Sequence, residues 1–227
     1  MRFNRVVMLA AAAMLCFSAL CAEAAPRVDT NIFKWVQSSS RINYFFNQEQ
    51  ICFKVKDGQV DTSTLIVPVL KTYDDVQIKD NVSKRRWHMK SLEGFEDLIG
   101  NTEYIEIDLA ASKALVVELD YIDSTWYPLE RTFPRQEVDI ESLSDKSYDK
   151  QFYTAIIDYA NRHLLELALR TRSDISPDMQ AELQRKQELY IMEKDEPEKL
   201  AALNSEKEKK AKKETSNNGR YNPIIRK

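Results

Sequence analysis

The chain has 227 residues and carries 33 Lys and Arg against 36 Asp and Glu, a net charge of −3 that by itself argues neither for nor against nucleic acid. Its four glycines, Gly58, Gly94, Gly100 and Gly219, form no cluster able to turn backbone N–H groups onto a phosphate, so P-loop and dinucleotide fingerprints are absent. With His88, His163 and Cys52 as the main soft ligands, a structural zinc site lacks donors, and no metal, cofactor or nucleic-acid partner is expected.

Arg2 and Arg5 precede an apolar run over 6–20, and Ala22 and Ala24 flank Glu23 in an A-x-A pattern. This is the layout of a secretory signal peptide over 1–24, which predicts export to the periplasm or cell surface of a diderm bacterium. An uncleaved anchor needs a longer run than Glu23 allows, and Cys21 follows Leu20 where lipid attachment wants a small residue. Removal of 1–24 takes Cys16 and Cys21 with it. Cys52 is then the one cysteine left, no intramolecular disulfide can form, and the net charge becomes −4.

Residues 25–173 read as one α+β domain. Ile42, Tyr44 and Phe46 alternate with polar or flanking residues, as do Ile51, Phe53 and Val55, which predicts a hairpin of 42–47 with 51–56. Asp57-Gly58 turns the chain into "TLIVPVL", where Pro68 points to an edge or a bend. A second antiparallel pair is marked by Ile105, Ile107 and Leu109 and then Leu115, Val117 and Leu119, with Glu106, Asp108, Glu118 and Asp120 opposite the apolar face. From Ser147 the period lengthens. Phe152, Ile156, Tyr159, Ala160, His163, Leu164 and Leu167 recur at steps of three and four, predicting one amphipathic helix over "SYDKQFYTAIIDYANRHLLELALRTR", about 39 Å long if unbroken. The fold expected is an antiparallel sheet covered by that long helix.

A charged helical extension over 174–213 is predicted next, opened by Ser176 as N-cap and Pro177 at the first helical position, with Met179, Leu183 and Tyr190 on one narrow stripe. The basic, polar residues 214–227 are expected to be a disordered tail. Residues 199–227 carry nine basic against three acidic side chains, while 25–173 carry a net −5. Lys207, Lys209, Lys210, Lys212 and Lys213 are therefore candidate contacts, either with the acidic sheet face or with anionic phospholipid or cell-wall polymer; a solvated terminus is the alternative.

Three further residue sets could carry chemistry. In "SKRRWHMK", a strand would place Arg86, His88 and Lys90 on one face, an anion or glycan contact with Trp87 as a stacking platform, against the plainer reading of a solvated face. Cys52 falls out of phase with Ile51 and Phe53 and shares a face with Lys54 and Lys56, so it is either a buried inert thiol or a reactive thiol able to form an intermolecular disulfide. His163 lies within the apolar stripe and reads as a packed histidine.

The leader, "FKWVQSSSRINYFF" with Trp35, Ser38 and Tyr44, and "DYIDSTWYPLE" with Trp126 and Pro128 together resemble the small surface-adhesin protein E-like domains of diderm bacteria, over roughly residues 32–143. The chain differs from that group in lacking paired cysteines and in adding the charged tail. The resemblance implies a compact sheet-and-helix envelope protein, some members of the group binding host or matrix ligands. The function expected is a non-enzymatic, exported, envelope-associated binding or scaffolding module with a protein or glycan partner; the alternative is a secreted hydrolase or enzyme inhibitor whose site lies in a cleft.

Overall fold

The computed structural model describes residues 27–201. The leader, the tail 214–227 and Lys207, Lys209, Lys210, Lys212 and Lys213 lie outside the described residues. Eight strands form one antiparallel sheet: β1 Phe33–Ser38, β2 Ile42–Asn47, β3 Cys52–Lys56, β4 Gln59–Tyr73, β5 Leu98–Asp108, β6 Lys113–Asp123, β7 Pro128–Thr132 and β8 Gln136–Asp139. The order is β1-β2-β4-β5-β6-β7, with β3 also on β4 and β8 also on β6. Among the described residues the longer helices are α1 Asp75–Trp87, α2 Tyr148–Arg162, α3 Leu164–Thr171 and α4 Pro177–Asp195, with helical geometry resuming over 197–201. The class is α+β.

The 15-residue β4 organises the sheet. Asp57 and Gly58 both take positive φ, 52° and 75°, the geometry of a tight hairpin turn, and fold β3 back onto the first half of β4. β2 pairs with the second half, Phe46 opposite Val69 and Ile42 opposite Tyr73. The hairpin expected between 42–47 and 51–56 is therefore not formed: β2 and β3 lie end to end along the same side of β4. Asn47 makes the connection by accepting hydrogen bonds at Oδ1 from the N–H groups of Glu49 and Gln50, which competes with continued strand. Pro68 sits in an interior strand rather than at an edge, opposite the break in that flanking ladder, between Val69 paired to β2 and Ile66 paired to β3. Its partner on the other side is Tyr104 of β5.

Alternation along the strands separates two faces. Leu65, Val67 and Val69 of β4, Ile105 and Ile107 of β5 and Ala114 and Val116 of β6 are buried together with Phe152, Ile156, Leu164 and Leu167 from the helices. The single long helix expected over this face is in fact two. The backbone leaves helical geometry at His163 (φ −126°, ψ 23°), and Thr171 at the end of α3 accepts the N–H of Phe53 in β3. The second face holds a small cluster of Phe45, Leu70 and Ile122 with Val28, Phe33 and Ile99 against it. Here Gly100 is required, because a Cβ would come within 2.1 Å of the Lys71 carbonyl oxygen.

Ser176 caps α4 through the Met179 N–H, with Pro177 first in the helix, as the sequence predicts. Ile175 and Leu183 belong to the main core, Tyr190 donates to Asp158, and Arg162 forks onto Asp195 at 2.7 and 3.0 Å. Packing thus continues without interruption past Ser173 to Asp195. No helix among the described residues is long and apolar enough to cross a membrane.

Candidate functional site

Residues 75–87 form α1 without a single buried side chain. Local chemistry makes the helix. Asp74 accepts the Gln77 N–H at 2.7 Å as N-cap, Asp75 sits at the positive end of the helix dipole, and Lys84, Arg85 and Arg86 sit at the negative end. One side chain ties that last turn to the sheet. Arg85 stacks over the Phe95 ring at 3.6 Å, pairs with Glu130 of β7 and donates to the Ser91 carbonyl at 2.8 and 3.1 Å. Lys90 adds a contact to Glu130 at 3.2 Å. Burial pushes the Glu130 carboxyl up, but the hydrogen bonds from Arg85 and Lys90 outweigh it and hold the group below its usual range.

The strand reading of "SKRRWHMK" is overturned: the stretch is the last turn of α1 and its C-cap, so Arg86, His88 and Lys90 do not share a strand face. His88 is the C-cap, Met89 donates to the Arg86 carbonyl and Lys90 donates to the Arg85 carbonyl, each at 3.0 Å. That pair of bonds is the Schellman closure, in which the residue after the cap is left-handed and most often glycine. Here it is Met89, at φ 52°. A side chain in that region costs on the order of 1 kcal/mol relative to glycine. No burial offsets it, since Met89 is 96% exposed and neighbouring Trp87 is 86% exposed. Isolated exposed apolar residues are ordinary, but a Trp and a Met this bare, two positions apart on a clamped helix end, form a peg. Tyr127, 68% exposed, lines a cleft of about 370 Å³ with Arg85, Ser91, Phe95 and Glu130.

The remaining expected sites resolve differently. Cys52 is half-buried, and burial raises its thiol above the ordinary value while Arg170 only partly opposes this, so the activated thiol is not supported. His163 stacks on Tyr159 at 4.3 Å between ring centres, with Nδ1 3.0 Å from Glu166, a boundary histidine at the helix break. The sheet carboxylates do not oppose one another. Glu106 pairs with Lys54, Glu118 and Asp120 both pair with Arg131, and Asp108 caps the β5–β6 turn by accepting from the N–H groups of Ala110 and Ala111.

A polar cluster that the sequence reading did not single out lies on the covered face. Lys71 is 2.8 Å from both oxygens of buried Glu103, Asn101 donates to Glu103, and Tyr73 donates to Asn101. Its rim includes Tyr44, Tyr73 and Tyr153, whose phenols are pushed up first by burial and then by nearby negative charge, Tyr44 to about 12. A mutually neutralised pair ringed by protonated phenols offers neither a base nor a nucleophile, and it reads as an internal clamp. Glu103 could have been found by phase, two residues before Ile105 on the apolar side of β5. Arg85 and Glu130 carried no comparable signal. Among the described residues, no cluster of His, Cys, Asp and Glu is arranged to hold a metal ion. No protein-family model, curated protein or solved structure matches this chain significantly.

Proposed function

We propose that the chain is a non-enzymatic, exported, envelope-associated binding module that makes contact through the end of α1. The observation that carries this reading is the peg: Trp87 and Met89 are held in solvent on a helix end fixed by a Schellman closure and by Arg85, Glu130 and Lys90. The backbone that carries these side chains is fixed before anything binds, so association has only their rotamers to order. Apolar anchors of this kind, Trp above all, dominate contact energies where they become buried. The resemblance to surface-adhesin protein E-like domains points in the same direction. The basic residues beyond Lys199 supply a second, electrostatic contact in this reading.

Site-specific photo-crosslinking tests it. With the photoreactive side chain at position 87 of the full chain in the native envelope, we expect a reproducible adduct, and none from position 188 on the exposed side of α4. Equal labelling from both positions, or none from 87, removes the peg from the contact.

A further inference from the structure

We infer that the occupant of the α1 end is an anionic phospholipid surface, with Trp87 and Met89 inserted among the acyl chains and Lys84, Arg86 and His88 at the headgroup phosphates. This deepens the reading of the α1 end as the contact and rests on it. Three observations converge. The peg is convex: Trp87 and Met89 project almost wholly into solvent, and a fluid interface accepts a projecting pair without a preformed socket. Its chemistry matches an interface, since Trp settles at headgroup depth and long basic side chains extend from apolar surroundings to phosphate. Its charge is complementary: Lys84 and Arg86 take part in no ion pair among the described residues, and both are exposed, with His88, within three residues of Trp87 in sequence.

The backbone at Met89 adds a reason internal to the fold. Glycine would close the helix with less strain, and methionine there makes no packing contact that would favour it within the folded chain. An apolar side chain kept in a left-handed position and left bare serves something outside the chain. Orientation follows from the acidic residues farther along the loop. Glu93 and Glu96 are exposed, so the approach that keeps them away from phosphate is helix end first.

The test uses the full chain with Trp35→Phe and Trp126→Phe, which leaves Trp87 as its only indole. Phosphatidylglycerol vesicles with brominated acyl chains are compared with brominated phosphatidylcholine vesicles. We expect Trp87 to be freely quenched by acrylamide in the absence of vesicles. With phosphatidylglycerol its emission shifts to the blue and is quenched by bromine, while phosphatidylcholine leaves it unchanged. Trp87→Ser and Met89→Gly, each made in the otherwise natural sequence, lower the vesicle partition coefficient by about tenfold or more, the loss expected for one large apolar group no longer buried. The Met89→Gly chain keeps its denaturation midpoint or raises it, which separates lost insertion from lost folding. Binding that is unchanged in both variants, with Trp87 unquenched by bromine, assigns the lipid contact to the basic tail and overturns the inference. Trp87 shielded from acrylamide in the free protein, by another segment or a second copy, also overturns it. A protein adduct from position 87 in the native envelope without bromine quenching overturns the lipid assignment alone and leaves the α1 end as the contact; the absence of both removes the contact as well.

Discussion

The two helical parts that meet the sheet, α1 and the α2–α3 pair, are held by opposite means. α2 and α3 place Phe152, Ile156 and Leu167 in the core at 1% exposure or less, whereas α1 only half-buries a face of Gln77, Ile78, Asn81, Val82 and Arg85 and is tied down by the ion pairs of Asp80 with Arg41 and of Arg85 with Glu130. A helix whose stripe is used for the core has fixed obligations along its whole length. A helix with only a half-buried face leaves its end free to be presented, and here the end is the Trp87–Met89 peg. The largest effect expected follows directly: Phe152→Ala destabilises the fold by about 3–5 kcal/mol, while Val76→Ala on α1 stays within about 0.5 kcal/mol. Urea denaturation of the two variants measures both, and comparable losses would break the contrast.

The next effect concerns the polar clamp bordered by Tyr44 of β2 and Tyr153 of α2. Lys71 keeps 18% of its side chain in solvent, so Lys71→Met, which strands Glu103 at 6%, should cost about 2–3 kcal/mol rather than the full loss of a wholly buried pair. Removing both charges with Lys71→Met and Glu103→Met should restore part of that, because the unpaired carboxylate is gone while the buried Asn101 amide loses its acceptor. A double variant as unstable as the single one would mean that the pair does more than neutralise itself.

A smaller effect isolates the attachment of α1. The folded-state carboxyl of Glu130 is held below its ordinary value by Arg85 and Lys90 against the opposing push of burial. A group lowered in this way contributes stability that is present above its unfolded pKa and is lost as pH falls through the folded one. Amide exchange in α1, corrected for its intrinsic pH dependence, should therefore accelerate on acidification below the usual carboxylate range while α2 stays protected. Glu130→Gln should make α1 exchange faster at neutral pH and flatten its response to acid. A flat response in the natural chain would leave Glu130 without an anchoring role.

These contrasts also explain what was legible in the sequence. The stripe from Phe152 to Leu167 announces itself because burial imposes a period, and the Ser176-Pro177 start of α4 does so because caps are local. The break at His163 was hidden, since apolar spacing runs through it. α1 was hidden for a different reason: its half-buried face of Gln77, Ile78, Asn81, Val82 and Arg85 is too polar to show an apolar period, and only the bracket of Asp74 and Asp75 before Lys84, Arg85 and Arg86 marks it. The same bracket carries the candidate site, so Trp87, His88 and Lys90 were noticed as residues and misplaced as structure. The misassigned hairpin has a similar cause. Local alternation identifies β2 and β3 as strands, while their shared partner is fixed by β4 being long enough to hold both.

The smallest effect has the opposite sign to all the others. Met89 lies at φ 52° in the position where a Schellman closure favours glycine, and its side chain is almost entirely in water. Met89→Gly therefore removes a left-handed strain on the order of 1 kcal/mol, although greater freedom in the unfolded chain takes part of that back. The net expectation is a gain of about 0.5 kcal/mol, visible as a small upward shift of the urea midpoint with an unchanged slope. Met89→Ala keeps the left-handed constraint and loses only exposed atoms, so its midpoint should not move. If glycine instead destabilised the chain and alanine did not, the Met89 backbone would be comfortable as it stands, and α1 would lose the strained closure that sets its end apart from the ends of α2 and α3.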